Sequence, residues 1–584
     1  MVAMPTQEPL TLKPSLGGLA TIADRVLGLD RFSATLSQAD GTGSSFISAA
    51  LREFGIHASW TDSDLARIPR EGPLIVACNH PHGGADGLVA LDLLLRARPD
   101  ARVMANHLLR HVAGMRPWLI EVNPFGDAAS QNLTGMRNAL RHLRAGGCML
   151  IFPAGEVASL RPLELAVRDN HWTSHLVRLA RAADASVLPL HIEGRNRAIF
   201  HLAGMVHPRL RTALLVREML ALKGRTLRLR SGKPVGTVKL AEHTSEDDAA
   251  KFLRLRCELL PARPEGPREE RATSRPLAPL ISAINPGLLR AELESLPPEN
   301  CLVSSGKMRV FHFRGSDLPH TLREIGRLRE ITFRTVSEGS GLPADIDAFD
   351  AWYEQMVLWD DETSSVVGGY RLGATDRILP EMGKRGLYTS TLFEFRTGFF
   401  EQMDPALEMG RSFIRPEYQR RPNALPLLWR GIGRYVVRYP RYQTLFGPVS
   451  INPEYSQASR ELLLSWLRHN RAAPELASLV RAKNPPRTMH LRAPDIELLR
   501  DCAFDLEHIN GLVSEMESDD RSIPTLLKHY LKLNGRLIAF NVDESFGGCL
   551  DGLITVNLTK TDPKLLAAYL GEEGARSFLD YHDA

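Results

Sequence analysis

Cysteine is scarce in this chain, and the few present do not pair by spacing. The six, Cys78, Cys148, Cys257, Cys301, Cys502 and Cys549, include no Cys-x-x-Cys. That pattern suggests neither a disulfide framework nor a zinc site, no metal is expected, and a reducing cytoplasm fits. Long apolar runs are missing too: none reaches the ~18 residues that a spanning helix requires. The N-terminus lacks a charged-then-apolar leader of useful length, so the protein is expected to touch a membrane without spanning it. Nor does one charge dominate. Lys and Arg number 72 against 68 Asp and Glu, a net of +4, and no nucleic-acid partner is expected.

What is present is the composition of a soluble globular protein, 43% apolar and 24% charged. A length of 584 residues exceeds what one core supports, so at least two domains are expected. No internal repeat is visible. Residues 1–70 read as helical and irregular, with Gly17-Gly18 interrupting a helical pattern that runs through Arg25, and their expected role is packing and lipid approach.

The chain is organised around Asn79-His80-Pro81-His82-Gly83-Gly84-Ala85-Asp86-Gly87, directly after the apolar run Leu74–Cys78. A short buried strand ending in a Gly-rich turn with an imidazole and a carboxylate is a way to build a general base. The carboxylate fixes the tautomer and stabilises the imidazolium. His80 is read as the base and Asp86 as its orienting partner, while His82, nearer to Asp86, remains an alternative base. Two more apolar runs end in polar turns, at Met149–Glu156 and Val187–Asn196. Three such strands separated by helical stretches describe an α/β domain whose turns converge on one site. Leu229–Val235 reads as its closing strand, and Val122–Gly126 as a turn before a long helix through Arg144.

These blocks resemble the glycerolipid acyltransferases of the lysophosphatidate acyltransferase type, whose first block is Asn-His-x-x-x-x-Asp and third is Phe-Pro-Glu-Gly. Here five residues separate His80 from Asp86, and the third block reads Phe152-Pro153-Ala154-Gly155-Glu156. Both departures resemble the hemolysin-named branch, which contains ornithine-lipid O-acyltransferases. The resemblance implies catalysis by His80 and Asp86, with Asn79, Gly155, Glu156 and Arg195 in substrate binding. In it Gly155 and Glu156 shape the acceptor pocket, and Arg195 pairs with a lyso-lipid carboxylate. The basic stretch Arg209–Lys233 reads either as an amphipathic helix on anionic lipid or as an ordinary surface helix.

Leu260–Pro276 is rich in Pro and charge and reads as a linker. The domain boundaries expected are 1–260, a linker over 261–300, and 301–584. In the second half a helical pattern over 322–334 precedes Asp347-Ala348-Phe349-Asp350, a strand at 365–372, a strand at 406–414, and a turn at Arg415–Tyr418 into a helix through Tyr439. That order resembles N-acyltransferases of the GNAT class, in the acyl-homoserine-lactone synthase and ornithine N-acyltransferase branch. Its four signatures stand in order as Arg329 with Phe333, Asp347 with Asp350, Gly368 with Arg371, and Glu408 with Arg411. The resemblance implies Glu408 as base through water, Arg411 tuning that carboxylate, and Asp347 and Asp350 holding a cationic amino acid. Arg329, Phe333, Arg371 and Arg411 join them as substrate-binding residues.

Where acetyl-CoA enzymes carry a Gly-rich pyrophosphate loop, this chain has Gln419-Arg420-Arg421-Pro422-Asn423-Ala424. Proline offers no N–H to a pyrophosphate. A phosphopantetheine-linked acyl-acyl carrier protein is therefore the expected donor, with no bound cofactor, and Arg415, Arg420 and Arg421 suit an acidic carrier. Near the C-terminus a helix over 523–533 and strands at 536–543 and 550–556 would complete the second sheet, with Asp543 and Asp551 either structural or recognising the acceptor amine.

Over nearly the whole chain the order resembles the bifunctional ornithine lipid synthases. The resemblance implies two α/β domains, partners in acyl carrier protein, ornithine and lyso-ornithine lipid, and a cytoplasmic, peripheral place on the inner face of the membrane. Another amino acid such as glycine, lysophosphatidate as acceptor, a lactone-closing synthase and a non-enzymatic scaffold are the rival readings.

Overall fold

The structure, a computed structural model, describes residues 28–39, 44–106, 113–122, 129–161, 166–263, 277–403, 405–419, 421, 423–486, 499, 505–517 and 519–583. The Gly17-Gly18 pair, the Asn123–Gly126 part of the expected turn, Arg420 and Pro422 lie outside these residues. The chain divides into two units, the first running to Gly266, the second from Pro267 to Leu491 and again from Asp505.

In the first unit, strands β1 (His57–Ser59), β2 (Leu74–Cys78), β3 (Arg102–Asn106), β4 (Leu119–Val122), β5 (Cys148–Ile151), β8 (Ser186–Ile192) and β9 (Thr226–Ser231) form a sheet ordered β1-β9-β8-β2-β5-β3-β4, while β6 (Ser159–Arg161) and β7 (Ala166–Arg168) form a hairpin. All five residues of β2 are buried because the strand is covered on both faces. Leu74, Val76 and Cys78 pack toward helices α1 (Ser44–Phe54) and α2 (Gly84–Ala97). Ile75 and Ala77 pack toward α3 (Ala129–Arg144), α4 (His175–Ala183) and α7 (Glu246–Leu259). The three strands whose turns were expected to converge, β8, β2 and β5, are parallel neighbours. Their C-terminal ends therefore share one edge.

The basic stretch after residue 208 is not one helix. Helix α5 (Ala198–Val206) and α6 (Pro208–Leu220) precede a turn at Gly224, φ +76°, and β9 then takes Leu227 and Leu229 inward and Thr226 and Arg228 outward. Alternation at period two overrides the helical reading there. The linker expected over 261–300 is also shorter. Arg263 is buried in an ion pair with Asp64 of the first unit. At the other end, α8 (Pro286–Glu294) buries Leu289 and Leu293, four apart, in the second unit's core.

The second unit carries an eight-stranded sheet ordered β10-β11-β12-β13-β15-β16-β19-β18. Its strands are β10 (Cys301–Ser305), β11 (Met308–Arg314), β12 (Glu354–Asp360), β13 (Ser365–Ala374), β15 (Ala406–Ile414), β16 (Thr444–Ile451), β18 (Arg536–Asp543) and β19 (Cys549–Asn557), with β14 (Phe393–Phe395) paired to β17 (Val480–Ala482). Pairing is antiparallel except between β15 and β16, which run parallel over Ala406–Glu408 and Thr444–Phe446. Helices α9 (Pro319–Arg334) and α10 (Ala424–Arg438) stand where the helical patterns predicted them. Among the described residues no helix is long and apolar enough to cross a membrane.

Candidate active sites

At the end of β2, Asn79 clamps β8. Its Nδ2 donates to the Ile192 carbonyl at 3.0 Å and its Oδ1 accepts from the Ile192 N–H at 2.7 Å. These two bonds fix the amide against the backbone of β8 and leave its second N–H unused by them. His80 Nδ1 lies 2.9 Å from Asp86 Oδ2. The same oxygen accepts from the backbone N–H of His82 at 2.8 Å and of Gly83 at 2.9 Å, which offsets the burial of the carboxylate. The His80 ring stacks on Phe152, 4.1 Å between centroids, and retains 18% side-chain exposure. With Nδ1 on Asp86, Nε2 is the nitrogen left for a substrate proton.

The geometry also separates the two candidate histidines. His82 is 2% exposed, its Nε2 lies 3.3 Å from the Glu193 carbonyl, and a Cβ on Gly194 would fall 2.5 Å from that nitrogen. Its ring is packed under the β8 turn, away from Asp86, so His80 has the geometry of a base. A carboxylate absent from the sequence reading completes the site. Asp169 accepts from the His80 N–H at 3.1 Å and from Trp172 Nε1 at 3.0 Å, and burial pushes its pKa up to about 6. It sits in a loop after the β6–β7 hairpin, where no periodicity or motif marks it.

The third block is tied to the first by the Ala158 N–H, which donates to the His80 carbonyl at 2.8 Å. Gly155 turns the chain at φ +70°, a conformation that favours glycine. Glu156 pairs with Arg211 of α6, and Arg195 is exposed after the β8 turn. The structure thus assembles His80, Asp86 and the Gly155–Glu156 turn at one sheet edge.

In the second unit the four sequence signatures form one network. Arg329, fully buried, donates to Asp350 Oδ1 at 2.9 Å and to Gln355 Oε1 at 2.6 Å. Arg371, also fully buried, pairs with Asp347 and lies 3.3 Å from Asp350. Arg411 reaches Asp345 at 3.0 Å, Asp347 at 3.3 Å and the Tyr388 hydroxyl at 3.1 Å. Its guanidinium covers the Phe546 ring at 4.4 Å, and Phe546 meets Phe333 edge-on at 6.5 Å. Arg411 has φ +50° where the β13–β15 register slips between Gly369 and Arg371. This bulge turns its side chain toward the aspartates.

Three expectations change here. Asp350, 1% exposed between Arg329 and Arg371, does not stand open to a cationic amino acid, and Asp347, 26% exposed, already pairs with Arg371 and Arg411. Burial raises the Asp350 pKa, but Arg329 and Arg371 outweigh it and hold the carboxyl well below the usual range. Glu408 is 1% exposed and accepts from the Tyr353 hydroxyl, the Tyr388 N–H at 3.1 Å and the Thr389 N–H at 2.6 Å. Burial raises its pKa, yet it is enclosed, so it positions the Tyr388 turn rather than meeting a water as base. Arg411 bonds the Tyr388 hydroxyl, not Glu408.

Asp345, Tyr353, Gln355, Tyr388 and Phe546 belong to this network without any spacing that announces them. Asp543 and Asp551 are buried at either side of the turn that carries Phe546. Asp551 accepts from Ser450 Oγ at 3.0 Å, and burial together with Asp543 pushes its pKa up to about 7. Burial and the nearby Asp551, Glu454 and Asp543 push Glu338 up to about 8.

The comparisons agree with this division. Residues 39–263 match the Acyltransferase family and residues 328–430 the Acetyltransferase (GNAT) domain. The molecule is a two-domain acyltransferase. The chain belongs to the acyltransferase family that includes the glycine N(alpha)-acyltransferase of Bacteroides thetaiotaomicron, with 31% identity over 46% of this chain and 82% of that protein. It is also similar to the lyso-glycine lipid O-acyltransferase of the same organism, 29% identical over 34% of this chain and 72% of that protein. Among solved structures, the 1-acyl-sn-glycerophosphate acyltransferase of Thermotoga maritima is 19% identical over 42% of this chain and 86% of that one, with a TM-score of 0.24.

Proposed function

We propose that this chain makes a diacylated aminolipid in two steps. The second unit transfers a 3-hydroxyacyl group from acyl carrier protein to the α-amine of ornithine, and the first acylates the new 3-hydroxyl. Relatives named for N-acylation of glycine and for O-acylation of lyso-glycine lipid support the pairing of steps. In the O-acyl step His80 Nε2 takes the hydroxyl proton as the oxygen attacks the thioester carbonyl. The tetrahedral intermediate then expels the carrier thiolate, which recovers the proton from His80. Asp86 holds the ring throughout.

The observation that carries ornithine is an acidic group at the Arg411 end of the network: buried Asp543 and Asp551 flank the turn whose Phe546 ring lies 4.4 Å from the Arg411 guanidinium, and burial raises the carboxyls of Asp551 and of Glu338 beside them. A second ammonium compensates such buried carboxylates, whereas glycine brings only one. The relatives' names favour glycine as the second reading. The test offers the purified chain 3-hydroxyacyl-acyl carrier protein with ornithine or glycine. Preferential N-acylation of ornithine supports the proposal, and preferential acylation of glycine overturns it in favour of the second reading.

A further inference from the structure

Helix α5 shows water a face that water does not favour. Ile199, Leu202, Met205 and Val206 are 51, 57, 57 and 78% exposed, and Leu210 on α6 is 48% exposed. Positions 199, 202, 205 and 206 follow the three-to-four-residue spacing of a single helix face. Contiguous exposed apolar side chains of this size mark an interaction surface.

Charge identifies the partner. Between Gly194 and Glu218 the sequence carries Arg195, Arg197, Arg209, Arg211 and Arg217 and no Asp or Glu. Arg195 and Arg217 are exposed, and Arg197, although paired with Glu218, retains 51% exposure. We propose that this face docks the first unit on an anionic lipid bilayer, with the apolar stripe in the acyl boundary and Arg195, Arg197 and Arg217 at the phosphates.

The position suits the chemistry. Arg211 of α6 holds Glu156 in the third block. Leu215 stands where a Cβ on Gly83, in the His80 turn, would meet it at 2.9 Å. The α5–α6 pair therefore borders the His80 site, and docking sets that site at the bilayer surface from which a lyso-lipid must come. This step rests on the proposed lyso-lipid acceptor.

The test is sedimentation of the full chain with phosphatidylcholine vesicles that contain or lack phosphatidylglycerol. It compares the unsubstituted chain, the double variant Leu202→Glu/Met205→Glu, and Val238→Glu, a change at an 80% exposed valine on another helix. The double variant should lose at least about tenfold in affinity for the anionic vesicles, with Val238→Glu unchanged. Its O-acyl transfer to a short-chain, monomeric lyso-aminolipid without vesicles should be retained. Vesicle binding by the double variant equal to that of the unsubstituted chain overturns the proposal. So does an equal loss in Val238→Glu, or a change only from dimer to monomer in sedimentation velocity. Failure of the intact chain to acylate the soluble acceptor sinks the functional reading instead, because vesicle affinity is read without turnover.

Discussion

Asp86 Oδ2 accepts at once from His80 Nδ1 at 2.9 Å and from the backbone N–H of His82 at 2.8 Å. One carboxylate oxygen thus orients the candidate base and shapes the turn that presents it. The two roles divide between neighbouring histidines, one offering its ring and the other its backbone.

His80→Ala should lower O-acyl transfer by ~10²–10⁴-fold, the usual contribution of a positioned base. His82→Ala should lower transfer by less than about tenfold, below that range, and act instead on thermal stability, because its ring packs against Gly194. Steady-state rates with a lyso-aminolipid acceptor, beside a thermal melt, separate the two.

The buried Asp350 carboxylate bridges Arg329 and Arg371, with Asp347 supplying the second negative charge beside Arg371. Asp350→Ala should therefore destabilise the second unit by ~3–5 kcal/mol, the cost of stranding buried charge. Asp350→Asn should cost less, because its carbonyl oxygen still accepts from Arg329. Chemical denaturation of both variants, followed by a signal from the second unit, measures the difference.

Asp551 sets a pH dependence. Its carboxyl, pushed up to about 7, is mostly protonated at pH 6 and ionised at pH 8. Binding an ammonium requires the anion, so KM for ornithine should fall roughly tenfold from pH 6 to pH 8. Asp551→Asn should raise KM at pH 8 and reduce the pH dependence to the part that Glu338, pushed up to about 8, still carries, while KM for the acyl donor stays level.

Much of this architecture is legible without coordinates, for a physical reason. Strands covered on both faces must be apolar throughout, and Leu74–Cys78 and Val187–Leu190 announce themselves that way. His80 with Asp86, and the Arg329, Arg371 and Arg411 positions, are legible because catalytic turns and buried arginines recur at fixed spacing in the families they resemble. Asp169 and Tyr388 are not, since each reaches its partner across the fold from an irregular segment. The same holds for the true state of Asp347 and Asp350: spacing reveals that a carboxylate is present, not that an arginine already occupies it. The Arg209–Lys233 stretch is helical to Leu220 and misleads only beyond it, because leucines among arginines satisfy both helical and strand periods and nothing but Gly224 marks the turn between them.

The most direct test of the two-step account is lipid mass spectrometry on a host without aminolipids, expressing the intact chain or His80→Ala. The account predicts diacylated ornithine from the intact chain and accumulation of the mono-acylated 3-hydroxyacyl form from His80→Ala. Diacylated aminolipid persisting in His80→Ala, or no aminolipid from a well-expressed intact chain while phosphatidate species change, would contradict it.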